Sequence, residues 1–240
     1  LPVIIRVDGK AFHTWTKGCA CPFDPTLVEL MNLAAIDLCE TIQGACLAYI
    51  QSDEISVLVH GYKTLDSQPW FNNEVQKMVS VSAAVAATRL TIESHRLFGK
   101  TKVALVDSRV FIIPENDTCN YFVWRQQDAI RNSISMTAQA HFSPKQCHGK
   151  KRHELVEMLR VEKGIQWDDL PTFQKRGRCV RRTMFEREGG IRYRWEVDNE
   201  PPIFSQNRAY IEDHLKLEDR VSVSRRLRRT SPSLPKSSVH

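Results

Sequence analysis

The chain has 240 residues, 42% hydrophobic and 26% charged, which supports a sizeable core and excludes a wholly disordered protein. No run of about 18 apolar residues occurs, which argues against a membrane-spanning helix, and Leu1 to Val7 is too short for a signal peptide. The formal charge of +6 invites a nucleic-acid reading, but residues 221–240 hold Arg225, Arg226, Arg228, Arg229 and Lys236 and no acid, so the rest is nearly neutral.

Val3, Ile5 and Val7 alternate with Ile4, Arg6 and Asp8, which predicts a strand ended by Gly9. Asp24 before Pro25 is an N-cap followed by proline in the first turn. Leu27, Leu30, Met31, Ala34 and Leu38 then repeat at helical spacing, predicting a helix that ends near Gly44. Two strand-like runs follow, Cys46 to Gln51 and Ile55 to His60, joined by the acidic turn Ser52-Asp53-Glu54. A long helix is predicted from Trp70 to Phe98 with Val75, Met78, Val79, Val85 and Ala86 as its apolar stripe, then a strand from Val103 to Ile113.

The order strand, helix, strand, strand, helix, strand predicts an α+β fold with a ferredoxin-like βαββαβ core over residues 1–140. Beyond it, helices are expected over 117–139 and 150–163 and a hairpin over 177–197, turning near Gly189-Gly190. These make residues 141–220 a helical and hairpin extension packed on the core, and 221–240 a flexible basic tail. Seven scattered cysteines suit a reducing compartment, so a cytoplasmic location is expected; Cys19, Cys21 and His13 lack the second ligand pair that zinc needs.

The chemistry-bearing features are Asp8 at the end of the first strand and Asp53 in the hairpin turn. If the first strand lies beside the hairpin, both carboxylates reach one edge of the sheet, where they repel unless a cation joins them. Nucleotidyl transfer commonly uses two metals about 3.5–4 Å apart, held by such a pair. The plainer reading is that each is a solvated turn residue, and spacing alone leaves it standing. Arg6, on the face of Asp8, adds a cation suited to phosphate.

Four segments in order, Arg6 to His13, Ala48 to Ser56, Asp107 to Phe111 and Tyr121 to Asp128, resemble the tRNA-His guanylyltransferase superfamily. The resemblance implies a core similar to a polymerase palm, adding nucleotides in the 3′ to 5′ direction to a tRNA whose 5′ end is first activated. It implies two Mg²⁺ ions held by Asp8, Asp53 and the Gly9 carbonyl, with ATP and GTP as substrates. Nucleotide contacts are implied for Asp8, Gly9, Lys10, Ala11, Phe12, His13, Ser52 and Asp53, and triphosphate contacts for Arg6, Lys77 and Arg109. Glu54 matches a further acid that matters in the family; strand alternation turns it away from Asp53, so it is expected to support the site rather than ligate. Members are commonly homotetramers whose tRNA site spans subunits.

Where single-guanosine enzymes carry a HINNLYN-like run, this chain reads Ala129-Ile130-Arg131-Asn132-Ser133-Ile134-Ser135, without the histidine. The departure resembles the bacterial branch, which implies templated repair of tRNA 5′ ends over addition of one guanosine to tRNA-His. The loop near Cys21 also lacks a lysine that many relatives place before the first helix. Lys145, Lys150, Lys151, Arg152, Lys175 and Arg176 form basic clusters that could follow an RNA backbone; Lys150 to Arg152 read equally as a solvated helix face. Two competing readings are a nucleotidyl cyclase, which needs no RNA, and a non-enzymatic RNA-binding module, which should carry stacking aromatics on its central strands.

Overall fold

The computed structural model describes residues 1–62, 67–187 and 190–216; the expected basic tail lies outside these. The elements run β1 (Val3–Gly9), α1 (Phe12–Trp15), α2 (Pro25–Thr41), β2 (Ala45–Gln51), β3 (Glu54–Val59), α3 (Val75–Glu93), α4 (His95–Phe98), β4 (Val106–Ile112) and α5 (Glu115–His141). There follow α6 (Pro144–Cys147), α7 (Arg152–Lys163), α8 (Thr172–Arg176), β5 (Arg178–Arg187), β6 (Gly190–Asp198) and α9 (Ala209–Glu212). One six-stranded sheet has the order β4-β1-β3-β2-β5-β6, every neighbouring pair antiparallel. The C-terminal hairpin continues this sheet by pairing β5 with β2.

Alternation along the strands divides the core into two layers. Val3, Ile5 and Val7 join Ile50, Ile55 and Val57 in a cluster with Leu30, Met31 and Leu38 of α2 and Met78, Ala86 and Leu90 of α3. On the other face, Ile4, Leu47, Tyr49 and Leu58 pack with Cys119 and Phe122 of α5 and with Phe204 and Ile211 near the end of the described chain. A strand side chain on this second face points toward α5, which decides where Arg6, Asp8 and Glu54 go.

Helix α2 begins as its sequence requires, with the Asp24 carboxylate accepting from the Thr26 and Leu27 amides at 2.9 and 3.1 Å. The helix expected from Trp70 to Phe98 is shorter. Phe71, Asn72 and Asn73 have φ of 49°, 51° and 60°, so Trp70–Asn73 is a separate turn and α3 starts at Val75. Its buried residues are Met78, Ser82, Ala86 and Leu90 at four-residue spacing, while Val75 is 54% exposed. The apolar residues outnumber those the sheet covers, and a serine takes one inward place by bonding the Met78 carbonyl at 2.6 Å.

Candidate active site

The end of β1 and the turn between β2 and β3 are held together by backbone. The Gly9 amide donates to the Asp53 carbonyl at 3.2 Å, and the Lys10 amide donates to the Leu105 carbonyl at 2.8 Å. Ser52 sits at φ 50°, which lets the chain reverse between Gln51 and Glu54, the pair that closes the hairpin. Gly9 is required by close packing, because a Cβ there meets the Phe12 ring at 2.2 Å. Phe12 in turn stacks on Trp15 at 4.7 Å, fixing the segment that carries Ala11, with its left-handed φ of 54°, and His13 beside the edge.

Across the α5-facing side, Asp8 lies opposite Glu54 on β3 and Asp107 on β4, while Arg6 lies opposite Ser56 and Arg109. A row of acids at the sheet edge is thus followed, two residues inward, by a row containing two arginines. Burial raises the Asp8 pKa above its ordinary 3.8 and Asp107 raises it further, with Arg109 and Arg6 opposing. Burial also raises Asp53, and Asp8 raises it next, with His13 opposing more weakly. The fold therefore gathers carboxylates that are reluctant to ionise together, the condition a divalent cation relieves.

The residues named from the sequence do not all converge. Glu54 faces α5 as alternation requires, accepting from Arg125 Nε and Nη2 at 2.8 and 2.6 Å, with both side chains under 10% exposed. Asp128 joins the same guanidinium at 3.0 Å. Arg6 is at the site, and its buried Nε has no hydrogen-bond partner among the described residues. Arg109 lies beside it, largely exposed, 3.5 Å from Asp107. Lys77 is not brought to this edge. It is 59% exposed and bonded to Glu74 at 3.0 Å in the first turn of α3. Ser82 of the same helix bonds Ser108, opposite Val7, at 2.7 Å, and Thr91 accepts from the Ala104 amide at 3.0 Å. Helix α3 thus runs with its C-terminal end toward the acids and its first turn toward the far end of the sheet.

A cavity of about 450 Å³ opens beside the acids, lined by Gly9, His13, Ser52 and Asp53 at one side and by Asn132 and Arg178 among others. Asp107, Arg125, Asn132 and Arg178 were not singled out as site residues. Asp107 had a signal, since it shares a strand face with Arg109 two residues on. Arg178 had none, because only the β2–β5 pairing brings it here. Among the described residues no three of His, Cys, Asp and Glu gather as a metal cage. Asp8, Asp53 and the Gly9 carbonyl are hard oxygen donors, too few for a closed site, and they fit an ion that shares its coordination with water and substrate phosphate, as Mg²⁺ does.

A family model described as tRNAHis guanylyltransferase matches residues 1–114. The chain is similar to a bacterial tRNA(His) guanylyltransferase-like protein solved in complex with ATP, 44% identical over 91% of both chains, with a TM-score of 0.85. It is likewise similar to such a protein in complex with GTP, 42% identical over 90% of this chain and 89% of that one, with a TM-score of 0.79. A probable tRNA(His) guanylyltransferase of Homo sapiens is 28% identical over 72% of this chain and 62% of that protein. Motif order, sheet topology and extended likeness to a solved relative agree, and the chain belongs to the tRNA-His guanylyltransferase family, whose members are nucleotidyltransferases.

Proposed function

We propose that the protein adds nucleotides to tRNA 5′ ends in the 3′ to 5′ direction, under direction of a template base, as a repair enzyme. The observation that carries this is the pairing of Asp8 and Asp53 at one sheet edge beside a cavity large enough for a nucleoside triphosphate. The bacterial-type departure at Ala129 to Ser135, together with 44% identity to a bacterial guanylyltransferase-like protein, supports templated repair over single-guanosine addition.

In the first step a 5′-phosphate oxygen of the tRNA bonds to the α-phosphorus of ATP, and pyrophosphate leaves. In the second, the 3′-oxygen of the incoming nucleotide bonds to the activated 5′ phosphorus, its proton passing to solvent, and AMP leaves with the electron pair. A 5′-triphosphate end enters at the second step and releases pyrophosphate. Two Mg²⁺ ions, when bound by Asp8, Asp53 and the Gly9 carbonyl, make the attacking oxygen more acidic and neutralise charge on the leaving group. Arg6 and Arg109 hold triphosphate oxygens, and the unpartnered Arg6 Nε is suited to that. Glu54 and Arg125 fix the sheet edge from behind. Phe12 and Gly9 set the backbone of Lys10 to His13 along the nucleotide.

The RNA reading is supported by the β5–β6 hairpin, where Arg182 stacks over Tyr193 at 4.4 Å and Arg194 over Phe185 at 5.2 Å. Assembly as a homotetramer agrees with β4 as an edge strand of the sheet, ending in exposed Ile112 and preceded by exposed Val103 and Leu105. No helix among the described residues is long and apolar enough to cross a membrane, and the seven cysteines are free, which accords with a reducing, cytoplasmic setting.

The test offers the protein 5′-truncated tRNAs carrying each of the four template bases, with Mg²⁺ and all four nucleotides. Labelled product is expected to follow complementarity, and Asp8→Ala and Asp53→Ala are expected to reduce addition to background with an unchanged circular dichroism spectrum. Guanosine addition whatever the template base would replace this reading with the tRNA-His one, and wild-type turnover in either variant would remove the metal assignment.

A further inference from the structure

The segment Tyr121 to Asp128 of α5 supplies Arg125 to the support of Glu54, whereas Trp124 beside it turns outward and is 48% exposed. Arg125 lies over one face of the indole, 4.5 Å from its centre, and Tyr121 meets it at 5.9 Å. Tyr121 is itself fixed, its hydroxyl 2.8 Å from Ser56 Oγ and its ring 5.5 Å from that of Phe111 on β4. A large aromatic is thus held in one place with half its surface left to solvent. Such a ring offers apolar area to a stacking partner at little entropic cost.

Trp124 borders an open part of the sheet. Helix α5 reaches Glu54 of β3 through Arg125, Tyr49 of β2 through Phe122 and the Pro202 carbonyl through Gln126, so it lies over the centre of the sheet rather than over β1 and β4. The flank that carries Trp124, Asp128 and Arg131 at one-turn spacing stands beside the rows in which Arg6 faces Arg109 and Asp8 faces Asp107. Arg6 is close enough to act on the charge of both Glu54 and Tyr121. The result is a trough with an aromatic wall and a basic floor, closed at its inner end by Tyr121 and Phe111 and bearing carboxylates at its outer end. Asp107 and Arg109 are more than half exposed in it, and the buried Arg6 Nε lacks an acceptor among the described residues. The 450 Å³ cavity is a separate space. It takes in Asp53 and Gly9 but not Trp124, Arg6 or Arg109, and a different flank of α5 lines it through Ala129, Asn132 and Met136.

Nucleotidyl transfer to RNA brings two reactants to one set of acids. The cavity encloses a mononucleotide, whereas the end of a polymer needs an approach that is open along its length, and the trough supplies one on the other side of Asp8. We propose that Trp124 is the shelf on which the 5′-terminal base of the RNA substrate stacks, with the 5′ phosphate or triphosphate lying over Arg6 and Arg109 toward Asp8. The proposal rests on the nucleotidyl-transfer reading and deepens it by naming where the RNA end is seated. Every base has a flat π face, so an indole takes any first nucleotide, as repair of different ends requires. Trp124 touches no reacting atom; it holds the end in place.

The experiment measures equilibrium binding, with Mg²⁺ and without nucleotides, of two versions of one tRNA whose 5′-terminal nucleotide either carries its base or is abasic. For the wild type, loss of the base is expected to weaken binding about fivefold or more, the scale of one base stacked on an aromatic ring. In Trp124→Leu the cost of removing the base is expected to shrink by about that factor, whereas Trp124→Phe keeps most of it. Any pairing lost within the RNA is common to all three proteins and cancels in the comparison. A wild type indifferent to the base overturns the shelf, and that measurement needs no variant to fold. An undiminished cost of base removal in Trp124→Leu overturns it too; if that variant also loses its assembly in size-exclusion chromatography, the indole is an intersubunit contact. Failure of the wild type to bind either tRNA removes the tRNA reading itself, whereas tight binding without regard to the 5′-terminal base removes only the role of Trp124.

Discussion

Asp53 and Glu54 are neighbours in sequence with opposite fates. Asp53 stays in the turn, next to another acid and without a cation of its own; Glu54 turns inward and is clasped by Arg125. For the pair, removing one partner is far worse than removing both, because an uncompensated buried charge remains. Arg125→Met is expected to lower unfolding free energy by about 3–5 kcal/mol in urea denaturation. The double change Glu54→Gln with Arg125→Met is expected to recover much of that loss, and a double variant as unstable as the single one would show that packing of Arg125 over Trp124 at 4.5 Å matters more than its charge.

The acids at the edge follow the reverse logic. The folded-state pKa values of Asp8 and Asp53 are raised, so the folded protein keeps protons that the unfolded chain has already released. Their cost to stability is absent below the ordinary value of 3.8 and grows as pH rises through the folded values. With EDTA present, Asp53→Asn is therefore expected to melt at a higher temperature than wild type, by a margin that widens between about pH 4 and about pH 7. Added Mg²⁺ is expected to close the gap by stabilising the wild type alone. A margin independent of pH would mean that Asp53 is not held under repulsion.

At the scale of elements, the start of β5 matters most for the cavity. Gly177 has φ 77° and ψ −171°, and an added Cβ meets the Ile50 carbonyl at 2.5 Å and the Tyr49 hydroxyl at 2.6 Å. That hydroxyl donates to the Arg176 carbonyl at 2.7 Å, so side chain and strand entry are locked together. Gly177→Ala is expected to cost at least about 3 kcal/mol, read by denaturant midpoint, and to weaken nucleotide binding by displacing the cavity wall formed by Gly177 and Arg178. Unchanged nucleotide affinity in a folded Gly177→Ala protein would separate the strand entry from the cavity.

Much of this organisation was legible in the sequence. The facing of Val3 to Asp8 followed from alternation, the two arms of the first hairpin from short apolar runs on either side of an acidic turn, and the helix capped by Asp24 from its N-cap and helical spacing. Boundaries were less legible: Phe71 to Asn73 adopt a left-handed turn that the paired asparagines tolerate, a signal masked by the apolar residues on either side of it. The convergence of Asp8 and Asp53 followed from topology, whereas the fate of Lys77 depended on which way α3 runs along the sheet. Arg178 was invisible because its meaning lies in a pairing between residues about 130 positions apart.

For the molecule as a whole, charge is a matter of placement. Outside the terminal basic residues the chain is almost neutral, yet Arg181, Arg182, Arg187, Arg192 and Arg194 share one hairpin. Two of these are committed elsewhere: Arg194 to Glu196, and Arg181 to Asp198 at 3.7 Å. Arg182, Arg187 and Arg192 have no ion pair among the described residues, on strands whose outer halves are exposed on both faces. An antiparallel pair uncovered on both sides is weakly stabilised alone and gains from a partner. A polyanion matches its charge, and its aromatics match exposed bases or ribose. Each phosphate neutralised on a duplex steepens the dependence of log affinity on log salt by about 0.9. Changing Arg182, Arg187 and Arg192 together to alanine is expected to weaken tRNA binding and to flatten that dependence by roughly 2–3, with GTP affinity unaltered. An unchanged salt slope would move the RNA surface elsewhere, whereas a parallel loss of GTP binding would mean that the hairpin supports the cavity rather than the tRNA.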